Sequence, residues 1–194
     1  MTVIPAEAGI QIKLVSVWIP AFAGMTTKNA QTMKTLVLGL GNVLLQDEGV
    51  GVRAVERLQH HPDLPADVEV LDGGTLGLEL LSRFEGVERL IVVDAVDAAA
   101  PPGALLRFAD EKIPASRGPI MSPHQVGLPQ LMALARMQGI LPASVVLWGM
   151  QVQQIRMGLD LSPPVAARVD ALVQAVVEEV KRENPSPVRK NRND

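Results

Sequence analysis

The sequence predicts an α/β protein built on a mainly parallel sheet that helices cover on both faces. Apolar segments with the composition of buried strands alternate with segments whose apolar residues recur at helical spacing. A chain of 194 residues, of which 47% are hydrophobic and 20% charged, can bury a full core. The alternation therefore favours one α/β domain over an all-helical or all-strand fold.

Composition excludes several functions before any motif is considered. Cysteine is absent, so disulfides and thiolate metal sites are excluded, and this fits a reducing cytoplasm. A net charge of −3 provides no basic surface for nucleic acid. No apolar run approaches the ~20 residues that span a bilayer, so we expect no membrane partner. We expect a cytoplasmic monomer.

Residues 1–32 differ from the rest of the chain. They contain a near repeat, IPAEAG and IPAFAG, whose prolines interrupt helices and strands. This repeat resembles the translation of a bacterial intergenic DNA repeat. A signal peptide is the competing interpretation, since Lys13 precedes a short apolar run. We expect a non-native or disordered extension with translation starting at Met33, then one domain over residues 33–182 and a disordered polar tail over 183–194.

The stretch from Thr35 to Leu58 combines a strand, a glycine turn, an acidic loop and a helix. Six apolar residues end at Gly39-Leu40-Gly41-Asn42, a turn that favours residues tolerant of positive φ. From Val50 the apolar residues recur at helical spacing. Asp47 and Glu48 lie between turn and helix, where open α/β sheets bind ligands. For Asp47 the simpler interpretation is capping of N–H groups at the helix start.

A dinucleotide-binding fingerprint is the rival interpretation of this turn, because Gly39-x-Gly41 follows a strand and precedes a helix. The third glycine position holds Leu44, and acidic side chains stand where a pyrophosphate needs free N–H groups. A small dinucleotide-binding protein is therefore the weaker hypothesis.

Further strands and helices follow in alternation. Strands are predicted at Val68–Leu71, Arg89–Val96, Ala104–Phe108 (an edge or antiparallel strand) and Val145–Met150. Three helices are predicted: one capped by Thr75 with the apolar face Leu76, Leu80, Leu81 and Phe84, one starting at Ser122-Pro123, and one starting at Ser162-Pro163 and belonging to the core.

Three further polar candidates, besides Glu48, follow strands of the predicted sheet at its carboxyl ends. They are Asp72, Asp94 and His124. A carboxylate that ends a buried strand, such as Asp94, must be paired, hydrogen-bonded, protonated or bound to a cation, and capping of its own loop is one possibility. Asp72 ends the second strand and faces the same crevice. His124 lies in the first turn of its predicted helix, where the dipole favours the neutral imidazole that a metal ion requires. Glu48, Asp94 and His124 together suit nickel or zinc.

Four segments, LVLGLGNVLLQDEGVGVRAVERL, VEVLDGGTLGLELL, LIVVDAV and SPHQVGL, resemble those of the hydrogenase maturation endopeptidases. The resemblance runs from Thr35 to about Leu128, with weaker agreement to about Val180. It implies a three-layer αβα sandwich around a twisted, mainly parallel sheet of about five strands. It also implies that the family's nickel-contacting residues are Glu48, Asp94 and His124.

Such enzymes trim the large subunits of nickel-iron hydrogenases. The resemblance implies that this chain removes a C-terminal peptide from the large-subunit precursor after nickel insertion, using nickel supplied by the substrate and no tightly bound cofactor. Asp72 and Asp47 are the candidate catalytic or supporting carboxylates. A checkpoint or chaperone that binds the nickel-loaded subunit without cutting it is the alternative. The chain has Val152-Gln153-Gln154 where a proline is expected near Gln151, and this loop is expected to contact the substrate.

Overall fold

A five-stranded sheet forms the centre of the fold in the computed structural model, which describes residues 34–109 and 127–182. The strands are β1 (Thr35–Leu40), β2 (Val68–Gly74), β3 (Arg89–Val96), β4 (Leu105–Ala109) and β5 (Ser144–Gln151). Their order across the sheet is β2-β1-β3-β5-β4. Only β4 runs antiparallel, paired with β5 at the sheet edge. The edge or antiparallel strand predicted from the sequence is thus confirmed.

Helices cover both faces of this sheet. They are α1 (Val50–Leu58), α2 (Leu128–Met137), α3 (Pro163–Ala166) and α4 (Val169–Lys181), with 3₁₀ helices at Gln46–Gly49 and Leu78–Phe84. Because successive strand residues point to opposite faces, two cores form. Val37 and Ile91 pack with residues of α1, α3 and α4, whereas Leu36 and Leu90 pack with residues of α2 and the second 3₁₀ helix. The three-layer α/β fold is confirmed.

The strand register brings the loops that carry the candidate residues to one edge. Gly39 of β1 lies between Asp72 of β2 and Val93 of β3. The next residue of β3, Asp94, pairs with Gly149 of β5. The four parallel strands therefore end side by side, and we call this end of the sheet the carboxyl edge. Ligands of open α/β sheets bind at such an edge.

The helix predicted after β2 starts later than the sequence pattern indicates. Thr75 does not cap it: the 3₁₀ helix begins at Leu78, after Gly77, and Leu76 is exposed. Gly74 has a φ of 45°, and the N–H of Leu76 donates to the carbonyl of Gly73 at 2.8 Å. The chain therefore makes a tight turn where the apolar spacing alone predicted a helix.

The helix predicted from Ser122-Pro123 also differs. Residues 110–126, which include that start, lie outside the described residues. Helix α2 begins at Leu128 after an extended Gly127, with φ −73° and ψ 167°, so no continuous helix runs back through this point. Pro129 explains the break, because proline in a helix interior removes a hydrogen bond, whereas in the first turn it is tolerated.

The predicted last helix is divided into α3 and α4 by a turn at Ala167 and Arg168. Helix α4 also holds a buried acid, Glu179, whose exposed fraction is 1%. Arg89 Nη2 lies 2.9 Å from its carboxylate and Arg107 Nε lies 2.7 Å from it. The sequence pattern assigned this helix to the apolar core alone. It could not indicate the ion pairs, because Arg89 and Arg107 lie on β3 and β4.

The predictions about the chain ends fall outside the described residues. These are the extension over residues 1–32, the start at Met33 and the tail over 183–194. Of the helices within the described part, none has the length and apolar character that crossing a bilayer requires.

Candidate active site

The loop after β1 brings Glu48 against the end of β3. Gly41 has a φ of 127°, and a Cβ atom there would lie 1.8 Å from the carbonyl oxygen of Glu48. A Cβ atom at Gly51, in the first turn of α1, would lie 2.3 Å from the carbonyl oxygen of Leu40 and 2.2 Å from that of Val93. Side chains at either glycine would push the acidic loop away from the carboxyl edge. The glycines of this segment are thus required by close backbone packing.

Glu48 and Asp94 lie close enough for their charges to interact. Burial raises the pKa of Asp94 to about 7, against the effect of the Ala95 N–H, which donates to Oδ1 at 2.8 Å, and with a further contribution from repulsion by Glu48. Burial also raises the pKa of the Glu48 carboxyl. Glu48 Oε2 is buried and accepts no hydrogen bond from the described residues. Because an unpaired buried carboxylate is costly, this pair suits a proton or a cation.

The carboxylate of Asp47 holds a distant segment of the chain. It accepts hydrogen bonds from the N–H groups of Gln153 at 2.9 Å, Gln154 at 3.0 Å and Ser162 at 2.7 Å, and from the Ser162 hydroxyl at 2.8 Å. Burial alone would raise the pKa of Asp47, but these bonds hold it below its usual range. The side chain is fully buried. Asp47 therefore joins the acidic loop to the segment after β5.

Backbone bonds join the same two segments. Leu45 and Gly158 form an isolated bridge, and the N–H of Gln46 donates to the Gly158 carbonyl at 3.0 Å. The prediction that Asp47 caps its own helix is wrong, since neither the first 3₁₀ helix nor α1 has a side-chain cap. Its partners lie more than 100 residues away in sequence, where local patterns carry no signal.

Among the described residues, no hydrogen bond links Asp72 to Glu48 or Asp94. Asp72 is exposed, and its Oδ1 accepts a hydrogen bond from the Gly74 N–H at 2.8 Å, which holds the glycine turn. Within residues 34–109 and 127–182, no three His, Asp or Glu side chains lie close enough to hold a metal ion. His124 lies outside the described residues, so its place among the ligands stays a prediction.

Gln151 is a positioning residue that the sequence analysis missed. Its side chain is buried, and Oε1 accepts hydrogen bonds from the N–H groups of Ala98 at 2.8 Å and Ala100 at 3.2 Å. Its Nε2 donates to Asp97 Oδ1 at 3.2 Å. Gln151 therefore fixes the loop that follows Asp94. The one feature of the sequence that could have indicated this role is a glutamine at the end of an apolar strand.

Comparison with known proteins identifies the family. The family model described as hydrogenase maturation protease matches residues 52–179. The hydrogenase expression/formation protein HupD of Rhodobacter capsulatus is 44% identical over 150 residues, covering 76% of this chain and 71% of that protein. The chain belongs to the hydrogenase maturation protease family.

A solved structure and a second curated relative agree with this membership. The hydrogenase maturating endopeptidase HybD from Escherichia coli superposes with a TM-score of 0.69 at 38% identity, covering 76% of this chain and 92% of that one. The hydrogenase 2 maturation protease of Escherichia coli K12 is 39% identical over 146 residues, covering 75% of this chain and 89% of that protein. The resemblance inferred from the four sequence segments is confirmed, and the chain is a peptidase.

In this protease we expect the Asp47→Ala substitution to loosen the segment after β5. It leaves the buried N–H and hydroxyl of Ser162 and the partly buried N–H groups of Gln153 and Gln154 without an acceptor. This should lower the free energy of unfolding by about 3 kcal/mol. Urea unfolding measures this loss, and trypsin should cut faster at the exposed Arg156. Asp160→Ala, which removes an exposed acid from the same segment, is the control. Equal stability losses in both variants would contradict the anchoring role.

Proposed function

We propose that this protease removes the C-terminal peptide of a nickel-iron hydrogenase large-subunit precursor after nickel insertion. Glu48, Asp94 and His124 would bind the nickel that the precursor carries. The supporting observation is the Glu48–Asp94 pair, in which a buried oxygen without a hydrogen-bond donor lies near a carboxyl group whose pKa is about 7. A divalent ion between these groups would remove their repulsion and supply the missing partner.

The proposed ligands fit a shared ion better than a stored one. Two carboxylates and a neutral imidazole leave coordination positions for groups of the substrate. Asp94 must lose its proton to bind the ion, so binding is coupled to proton release. The protein would therefore carry no tightly bound nickel of its own, and the ion would arrive with the precursor.

Peptide hydrolysis requires an activated water as well as a positioned substrate. Nickel held by the precursor would place the scissile peptide beside a polarising charge. We assign activation of the water to Asp72, an exposed carboxylate at the carboxyl edge. We also propose that the protein acts as a monomer in the cytoplasm. Asp47 has a supporting role, because its oxygens hold the segment after β5. Membership of a protease family favours cleavage over the alternative of a non-cleaving checkpoint or chaperone.

Cleavage should occur only on a precursor that already holds nickel. Purified protein is incubated with nickel-loaded and with nickel-free precursor, and the release of the C-terminal peptide is followed by a gel shift and by mass spectrometry. Binding without peptide release would identify the checkpoint alternative. Efficient trimming of the nickel-free precursor would show that nickel is not the recognition element.

A further inference from the structure

The described surface exposes seven large apolar side chains, and six of them lie on segments that follow strands at the carboxyl edge. They are Leu44 after β1, Leu76 and Leu78 after β2, and Ile155, Met157 and Leu159 after β5. The seventh, Met137, ends helix α2, which leads toward the start of β5. Single apolar residues scattered over a surface need no explanation, whereas grouped ones mark interaction sites.

Four of these residues lie on two segments that backbone hydrogen bonds join. We call Leu44, Ile155, Met157 and Leu159 the apolar rim. The N–H of Gly158 donates to the carbonyl of Leu44 at 2.9 Å, at the centre of this group. The segment that carries Leu44 continues directly into the 3₁₀ helix of Glu48. The apolar rim is therefore continuous with the candidate active site.

The apolar rim is held in place before any partner binds. Asp47 accepts hydrogen bonds from Gln153, Gln154 and Ser162, which lie on both sides of the exposed residues. A surface fixed in this way loses little conformational freedom when a partner docks. Methionine adds adaptability at its centre, because its unbranched side chain adjusts to the shape of an apolar partner.

We propose that the apolar rim docks apolar side chains of the hydrogenase precursor next to the scissile peptide. This inference rests on the proposed function, since the substrate of a peptidase must cover the loop of Glu48 and would extend onto the adjoining surface. A second copy of the chain is a poorer occupant. Four side chains fall far short of the roughly 20 residues a side that stable dimers use, and a second copy there would obstruct the active site.

The test measures kcat and KM for peptide release from nickel-loaded precursor with the double variant Ile155→Ser/Met157→Ser. Removing two apolar contacts should raise KM about tenfold or more, with kcat little changed, because binding is lost equally before and during the reaction. Leu44→Ser, on the other segment, should raise KM in the same direction. Met137→Ser is the matched control, since Met137 is 83% exposed and Met157 is 79% exposed.

Each outcome separates this inference from the proposed function. Unchanged KM in the double variant and in Leu44→Ser, with wild-type cleavage intact, would overturn the docking role while leaving the function standing. An equal rise in KM for Met137→Ser would also overturn it. If the double variant melts at a lower temperature than wild type, Leu44→Ser decides the question, because Leu44 lies on the other segment of the apolar rim. A wild-type dimer that becomes monomeric in the double variant would assign the apolar rim to self-association instead.

Discussion

Asp94→Asn should abolish trimming of the nickel-loaded precursor while the protein remains folded. The substitution keeps the shape of the side chain but removes the charge that would bind the ion, so we expect a loss of more than about 100-fold in the rate of peptide release. Asp67→Asn is the control, because Asp67 is an exposed acid in the loop before β2, at the opposite end of the strands. The gel shift of the precursor measures both variants. Full activity of Asp94→Asn would remove Asp94 from the site.

The same variant makes a second measurement possible. Because the pKa of Asp94 is about 7 in the folded protein and 3.8 in an unfolded chain, folding favours the protonated form. The resulting stability is fully present below pH 4 and is lost as the pH rises through about 7. Asparagine carries no charge at any pH. Asp94→Asn should therefore melt at a higher temperature than wild type at pH 8 and at the same temperature near pH 4.

Glu179→Gln should strongly destabilise the fold. Glu179 is the buried acid between Arg89 and Arg107, and Arg182 lies 3.3 Å from the same carboxylate. Removing one partner leaves buried positive charge uncompensated, which costs about 3 kcal/mol of unfolding free energy. The guanidinium of Arg89 also donates to the carbonyls at the end of α4. If the substitution displaces Arg89, these bonds are lost and the end of the helix should fray. Urea unfolding at pH 7 measures the loss.

The pH dependence of this loss has a definite sign. Burial alone would raise the pKa of Glu179, but the hydrogen bonds of Arg107 and the neighbouring positive charges hold it below its usual value of 4.5. The stability from the ion pairs is therefore present above pH 4.5 and is lost as the pH falls further. The difference between wild type and Glu179→Gln should shrink in that acidic range. Glu178→Gln, exposed on the same helix, should change stability little at either pH.

The sequence predicted those parts of the fold that local patterns determine. β1 and β3 were predicted because apolar runs mark strands buried on both faces. Glu48 and Asp94 were singled out because both lie at the carboxyl ends of strands, where open α/β sheets bind ligands, and their role as nickel ligands stays a prediction. The assignment of His124 to nickel came from the family resemblance and stays a prediction.

The parts of the site that the sequence did not predict depend on hydrogen-bond partners that are distant in sequence. Asp47 has its donors at Gln153, Gln154 and Ser162, and Gln151 has its partners around Ala98. No pattern within one segment indicates such pairs. Helix starts were misplaced for a related reason, since glycine turns and Pro129 override the spacing of apolar residues.

The anchoring of Asp47 has a consequence for the biosynthesis of this protease. Its four hydrogen bonds connect residues 106 to 115 positions apart, so we expect the acidic loop to gain these contacts late in folding. A nascent chain that has emerged from the ribosome only as far as Val152 lacks every group that donates a hydrogen bond to Asp47. Translation therefore completes strands β1 to β5 before the groups that anchor the acidic loop, and we expect proteolytic activity only once the chain as far as Ser162 has joined the fold.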